Sequence, residues 1–244
     1  MKKSDLLAID IGNTNIVAGF FKDGKLVRKL RTPTHSYALY GRKFKHIPDD
    51  VIISSVVPLA LSRLLVHLNR IGKSNIAVLG KNAAVPIKNL YKIKKEVGQD
   101  RLVNAYGAKI LYGTPCVIVD FGTAITFDCV SKKGEYLGGL ILPGIELSLS
   151  SLYKKTALLP RVNLKAAIDI IGRDTVSSMR GGILFGFGAM CDGLVSRYKK
   201  ILGKNLKVIA TGGNASLMKR YASSIQKVDE DLTLKGLYLI SQKI

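Results

Sequence analysis

A chain of 244 residues, 47% hydrophobic and 23% charged, is long enough for a sizeable core and has an ordinary globular composition. No apolar run reaches the roughly 18 residues that span a bilayer, and Met1 to Asp5 lead straight into a strand, so a soluble cytoplasmic protein without a membrane role is expected. The net charge of +21 draws anions, but its lysines and arginines are scattered without interleaved stacking aromatics, so a basic solvated surface is expected rather than a nucleic-acid partner.

Residues 4–10 read as a buried strand that stops at Asp10, and residues 15–21 as a second strand. Asp23-Gly24 then makes a hairpin into a third, residues 25–31. Residues 36–45 are ambiguous and fit a short helix. A strand over residues 51–55 precedes Pro58, which suits the first turn of a helix carrying Leu61, Leu64, Leu65 and Leu68 at helical spacing. Another strand follows at residues 76–79. Residues 81–98 show no period and read as a long connection, the kind of loop that often serves a site. It ends in Gly98-Gln99-Asp100-Arg101, and a helix follows over residues 101–111.

Gly113-Thr114-Pro115 breaks the chain, after which the opening pattern returns. Asp10, Gly12 and Gly24 recur 110 residues later as Asp120, Gly122 and Gly134. Each copy has a buried strand ending in Asp-x-Gly, a second strand (residues 125–130 in the later copy), a polar hairpin and a third strand (residues 135–141). Motif and hairpin spacing repeating together indicate a duplicated unit. We therefore expect an α/β fold of two mixed-sheet lobes, residues 1–114 and 115–244, with a cleft between them.

The second half continues with a helix from Pro143-Gly144 to about Tyr153. Asp174 or Thr175 caps a long helix to about Leu202. Gly181, Gly182, Gly186, Gly188 and Gly193 lie within it, which points to close backbone packing in the core or against a second subunit. A strand over residues 207–210 ends in Thr211-Gly212-Gly213, and two helices, residues 215–221 and 234–244, complete the chain. Cys116, Cys129 and Cys191 form no CxxC pair and read as buried reduced thiols.

Nucleotide phosphates need closely approaching backbone N–H groups, which glycine permits, with hydroxyls and a carboxylate to hold a metal ion. Asp10-Ile11-Gly12-Asn13-Thr14 meets that description, and equally that of an Asx-type turn in a structural hairpin. Asp100 fits two roles: a helix N-cap, or the carboxylate that takes a proton from an attacking alcohol, with Arg101 as an anion clamp. Thr211-Gly212-Gly213 fits either a nucleoside approaching the backbone or a plain strand-to-helix loop. Neither GxGxxG nor GxxxxGK[ST] is present, so Rossmann and P-loop sites are not supported.

Taken together, the motifs resemble the type III pantothenate kinase family, within the actin, sugar-kinase and heat-shock chaperone superfamily. The resemblance is carried by Asp10-Ile11-Gly12-Asn13-Thr14, Ser54-Ser55-Val56-Val57-Pro58, Glu96-Val97-Gly98-Gln99-Asp100-Arg101 and Asp120-Phe121-Gly122-Thr123-Ala124. It continues through Gly138-Gly139 with Pro143-Gly144, Ile171-Gly172 with Thr175, Thr211-Gly212-Gly213, and Asp231-Leu232-Thr233-Leu234 with Gly236-Leu237.

The resemblance implies a duplicated ribonuclease-H-like fold and phosphorylation of pantothenate by ATP in coenzyme A synthesis. It implies that Asp10, Ile11, Gly12, Asn13, Thr14, Asn15, Ile16 and Val17 hold ATP phosphates, with Asp10 orienting Mg2+, and that Thr123, Gly212 and Gly213 contact ATP. Asp100 becomes the proton acceptor, and Tyr91, Gly98, Gln99, Asp100 and Arg101 line the pantothenate pocket. Asp120 takes a monovalent cation, K+ or NH4+, and Thr175 reaches pantothenate across a homodimer interface. Lys94, Gln99, Asp174 and Gly181 depart from the residues usual in the family, which bears on loop rigidity and pocket shape rather than on the three central carboxylates.

Overall fold

The computed structural model describes residues 5–36, 44, 47–72, 75–164 and 169–244. Among the described residues ten strands are formed: β1 (Leu6–Ile11), β2 (Asn15–Lys22), β3 (Lys25–Pro33), β4 (Asp50–Ser55), β5 (Asn75–Val78), β6 (Cys116–Phe121), β7 (Ala124–Val130), β8 (Tyr136–Pro143), β9 (Lys207–Thr211) and β10 (Lys227–Val228). The α-helices are α1 (Pro58–Arg70), α2 (Gln99–Tyr112), α3 (Ile145–Lys155), α4 (Thr175–Leu202), α5 (Ala215–Met218) and α6 (Leu232–Ser241).

The strands make two five-stranded sheets, β3-β2-β1-β4-β5 and β8-β7-β6-β9-β10. In the first, β1 runs antiparallel to β2 and parallel to β4. In the second, β6 runs antiparallel to β7 and parallel to β9. The copies agree even in their irregularities. A bulge between Phe20 and Phe21 on β2 answers one between Cys129 and Val130 on β7. Gly24 (φ 82°) and Gly134 (φ 75°) both turn their hairpins through the left-handed region, where glycine has no steric penalty. One difference is local: Ile11 pairs with Ile16 but Phe121 with Ile125, so the first Asp-x-Gly turn is one residue longer.

Alternation along β1 gives each face of the first sheet its own core. Leu7, Ile9 and Ile11 pack with Ala60, Leu61, Leu64 and Leu68 of α1. Leu6 and Ala8 pack with Val103 and Tyr106 of α2 and with Leu234, Leu237 and Ile240 of α6. Each fully buried leucine contributes about 1.5–3 kcal/mol, so these two layers hold the end of β1 in place. On the second sheet Val117, Val119 and Phe121 pack with Leu184, Cys191 and Val195 of α4 and with Ala215 and Met218 of α5. The three cysteines are buried and free, as expected.

By internal contacts the chain divides into Met1–Ile110 with Leu232–Ile244, and Leu111–Asp231. The last helix therefore belongs with the first sheet, whereas the sequence places it in the second half. The reason is its close approach to α2: a Cβ on Gly236 would stand 2.6 Å from the Val103 carbonyl oxygen, and one on Gly107 3.1 Å from Gly236 Cα. Thr233 Oγ1 also donates to Asn104 Oδ1 at 2.7 Å.

Other expectations need adjustment. Helix α5 ends at Met218 rather than Tyr221, because the following chain is turned over α4: Asp192 accepts the N–H groups of Ser223 and Ser224, at 3.0 and 2.8 Å. β10 is two residues long, too short for any periodicity. The stretch over residues 81–98 is a loop except for one 3-10 turn, Lys94–Glu96. The ambiguous stretch over residues 36–45 lies largely outside the described residues.

Candidate functional site

β1 and β6 each carry a carboxylate one residue before their last, beside a parallel neighbour. Asp10 pairs with Ser54 of β4, and Asp120 with Thr211 of β9. Ser54 and Thr211 are buried, and neither hydroxyl has a hydrogen-bond partner among the described residues. A buried polar group left unsatisfied costs on the order of 1–3 kcal/mol. Both copies carry this cost at the same place in the sheet, and the Thr32 hydroxyl of β3 is orphaned as well.

The first unit gathers its site at the carboxyl ends of β1, β4 and β5, where open α/β sheets take ligands. The turn after Asp10 is closed by a bond from Gly12 N–H to Asn15 O at 3.0 Å. It is braced by the residue that follows β3, since Thr34 Oγ1 donates to Gly12 O at 2.6 Å and Thr34 N–H to Thr14 O at 3.0 Å. Asn13 and Thr14 are exposed at its tip. Val56 N–H donates to Ile11 O at 3.0 Å, and Val56 also underlies Gly98, whose Cβ would stand 3.7 Å from its Cγ1. Gln99 lies against Gly80 at the end of β5.

This scaffold brings Asp100 to the end of the sheet that carries Asp10. Residues alternating with Leu7, Ile9 and Ile11 face α2, so Asp10 is on the α2 side, and Asp100 is in the first turn of α2. The helix begins at Gln99 rather than Arg101, which puts Asp100 inside it and not at its N-cap. Its Oδ1 accepts the Arg101 N–H at 2.9 Å. Desolvation by burial raises the Asp100 pKa above the ordinary carboxylate value, and the Arg101 N–H and charge pull it partly back. A carboxylate so poised is a stronger proton acceptor. Arg101 is itself buried. Tyr91 sits in the preceding loop, where its N–H donates to Asn89 Oδ1 at 2.9 Å.

The second unit closes around Asp120. Gly212 (φ 89°) follows Thr211, and a Cβ there would overlap the Asp120 carboxylate and stand 2.7 Å from Phe121 C. Asn214 N–H donates to Phe121 O at 3.3 Å. Gly144, preceding α3, passes so close to the turn that a Cβ would overlap the Thr123 carbonyl and stand 2.7 Å from Gly122 O. Asp120, Thr123, Gly212 and Gly213 are thus brought together, with Thr123 and Gly213 exposed. Thr175 is placed apart, exposed at the first residue of α4, where Asp174 and Ser177 form a reciprocal capping box.

Sequence reasoning named Thr211 only as part of the Thr211-Gly212-Gly213 turn and gave Ser54 no site role. The signal was present, since each is a polar residue following the apolar run of its strand, Val51 to Ile53 or Val208 to Ala210. Among the described residues no three His, Cys, Asp or Glu side chains converge on a metal-sized site. A divalent ion at Asp10 would therefore take most of its oxygens from phosphate and water, as Mg2+ commonly does.

Comparison with known proteins gives the family and the fold. A family model described as type III pantothenate kinase matches residues 6–197. A protein of Geobacter sp. (strain M21) named type III pantothenate kinase is 43% identical, over 98% of this chain and 99% of its own. One of the same name from Myxococcus xanthus is 42% identical, over 96% and 97%. The crystal structure of an inorganic polyphosphate/ATP-glucomannokinase from Arthrobacter sp. strain KM superposes with a TM-score of 0.52 at 14% identity, covering 99% of this chain and 100% of that one. The last likeness concerns the fold alone.

The raised Asp100 pKa has a definite sign in stability. An acid whose folded pKa exceeds its unfolded value binds more protons when folded, so stability falls as pH rises between the two values. Asp100→Asn is expected to unfold at the same or a higher temperature than the parent at neutral pH. The difference should close as the pH is lowered through the folded Asp100 pKa, as followed by thermal unfolding across a pH series.

Proposed function

The chain belongs to the type III pantothenate kinase family, and we propose that it transfers the γ-phosphoryl group of ATP to the primary alcohol of pantothenate, giving 4′-phosphopantothenate, in the cytoplasm. The observation that carries the mechanism is the placing of Asp100, with its raised pKa, on the side of the first sheet where Asp10 and its glycine turn stand.

The turn over residues 10–17 holds the ATP phosphates through its N–H groups, and Asp10 orients the divalent ion. Mg2+ bound with ATP neutralises charge on the phosphoryl oxygens. Thr123, Gly212 and Gly213 contact the nucleotide. Tyr91 and residues 98–101 form the pantothenate side. Asp100 accepts the alcohol proton as the oxygen attacks the γ-phosphorus, and the bond to the ADP oxygen breaks. Arg101 offsets negative charge beside Asp100. Most of the acceleration comes from positioning and preset charge, since the chemistry needs no covalent intermediate with the protein. Asp120 holds a monovalent cation, K+ or NH4+.

The homodimer reading is supported by α4. Its glycines divide into two sets. Gly188 is required within the fold, because a Cβ there would overlap the Tyr221 carbonyl, but Cβ atoms on Gly182, Gly186 and Gly193 would meet open space. Ser178, Gly182, Gly186, Ala189, Gly193 and Ser196 are all exposed, at spacings that put them on one helical face. So smooth a stripe suits close packing against a second copy. Gly186→Leu, which has room in the isolated chain, is expected to shift the protein to monomer in light scattering and to raise the pantothenate KM, because Thr175 acts across that interface. A dimer of unchanged affinity would remove α4 from it.

The enzymatic reading is tested by ADP release with and without pantothenate, each with and without K+ or NH4+. Release should require pantothenate and rise with the cation, and Asp100→Asn should lower kcat by roughly 10²–10⁴-fold with ATP binding retained. Release independent of pantothenate would point to a hydrolase, and near-normal turnover of Asp100→Asn would remove it from the proton step.

A further inference from the structure

The turn over residues 10–17 contains no lysine or arginine, although phosphoryl transfer from a nucleotide draws on cationic side chains as well as a metal ion. The register of the first sheet shows where such a charge stands. Asp10 of β1 has Val17 of β2 as its partner, and Val17 has Arg31 of β3. Direct cross-strand partners project from the same face of a sheet, so Arg31, Val17 and Asp10 form one row. On that face Val17 packs against the core built from α2 and α6, and Arg31 is exposed. Arg31 stands two strands, about 9–10 Å, from Asp10. An extended arginine and a triphosphate seated at the turn together span that gap. The end of β3 is also tied to the turn, since Thr34, three residues on, donates to the Gly12 and Thr14 carbonyl oxygens. Arg31 therefore keeps a fixed place relative to it.

We infer that Arg31 binds the phosphate chain of the nucleotide held by residues 10–17, supplying the cationic side chain that the turn lacks. This rests on the proposed placement of ATP at that turn and adds a residue to it. A guanidinium presents a planar fork that pairs with two phosphate oxygens at once. The duplication gives an internal control. The corresponding row of the second sheet runs Ile141, Thr126, Asp120, and Ile141 follows Arg31 by the same 110 residues that separate the two aspartates. Ile141 is 64% exposed. An exposed position on the edge strand therefore does not by itself call for a cation, and the copy with the longer turn is the one that has it. Charge along an edge strand also blocks pairing with other chains. Lys25 and Lys29 of β3 serve that end without Arg31's place in the row, Lys29 lying on the same face beside Gly19, one step farther from the turn.

The test is binding of a non-hydrolysable ATP analogue with Mg2+ to the full chain, by titration calorimetry at fixed ionic strength, beside adenosine as a ligand without phosphates. Arg31→Met, which keeps an unbranched apolar stem, should weaken the analogue roughly tenfold or more and leave adenosine unchanged. Arg31→Lys should recover part of the loss, as a point charge without the fork. Lys29→Met removes the same charge from the same face and should stay within about twofold of the parent, because exposed charges are screened. In turnover, Arg31→Met should raise the ATP KM and leave the pantothenate KM unchanged. Its unfolding temperature should match that of the parent, since the side chain is exposed. Parent-like binding of the analogue by Arg31→Met, or a loss shared equally by adenosine or by Lys29→Met, would overturn the inference. Gly12→Val crowds the turn itself, because a Cβ on Gly12 stands 3.2 Å from Asn15 O. Parent-like binding of the analogue by that variant would instead overturn the placement of the phosphates at the turn.

Discussion

The structure turns on a single constraint, that a carboxylate be held at the carboxyl end of a buried central strand beside a parallel neighbour. A strand such as β1 or β6 can end in an aspartate only if the sheet around it is rigid enough to keep that charge at the rim. The apolar layers on the first sheet fix β1 from both faces, and the α4 and α5 layer fixes β6. The parallel neighbour then sets a hydroxyl beside each carboxylate, Ser54 or Thr211, at the cost of leaving it unsatisfied.

Duplication supplied the same frame twice, and the copies differ in small ways. The strand order, directions and bulges agree. The turn after Asp10 is one residue longer than that after Asp120, with Asn13 and Thr14 exposed at its tip. Around Asp120 the space is instead filled. Gly212 and Gly144 approach so closely that neither tolerates a Cβ, and Thr126 replaces the Val17 of the first copy. A turn open at its tip suits a polyphosphate.

Much of this was legible in the sequence, because its signals were periodic or chemical. The alternation and terminal aspartates of β1 and β6, Pro58 at the start of α1, and the Asp23-Gly24 hairpin each have a local physical cause. Asp174 as the cap of α4 was equally readable, and its Ser177 partner completes the box. What escaped the sequence depends on tertiary contact. The end of α5 is set by Asp192 on another helix, and the docking of α6 on the first sheet by Gly236 meeting Val103. The orphan hydroxyls of Ser54 and Thr211 matter only through their register with Asp10 and Asp120. The glycines of α4 look alike in sequence, yet Gly188 serves the interior and Gly186 the surface.

The central claim is that equivalent strand ends hold unlike ions, a divalent one with nucleotide at Asp10 and a monovalent one at Asp120. Its most direct measurement is anomalous diffraction from crystals grown with a non-hydrolysable ATP analogue, Mn2+ and Tl+. The account predicts a manganese peak beside Asp10 and the nucleotide phosphates, and a thallium peak in contact with Asp120. Thallium beside Asp10, or none at Asp120, would contradict it.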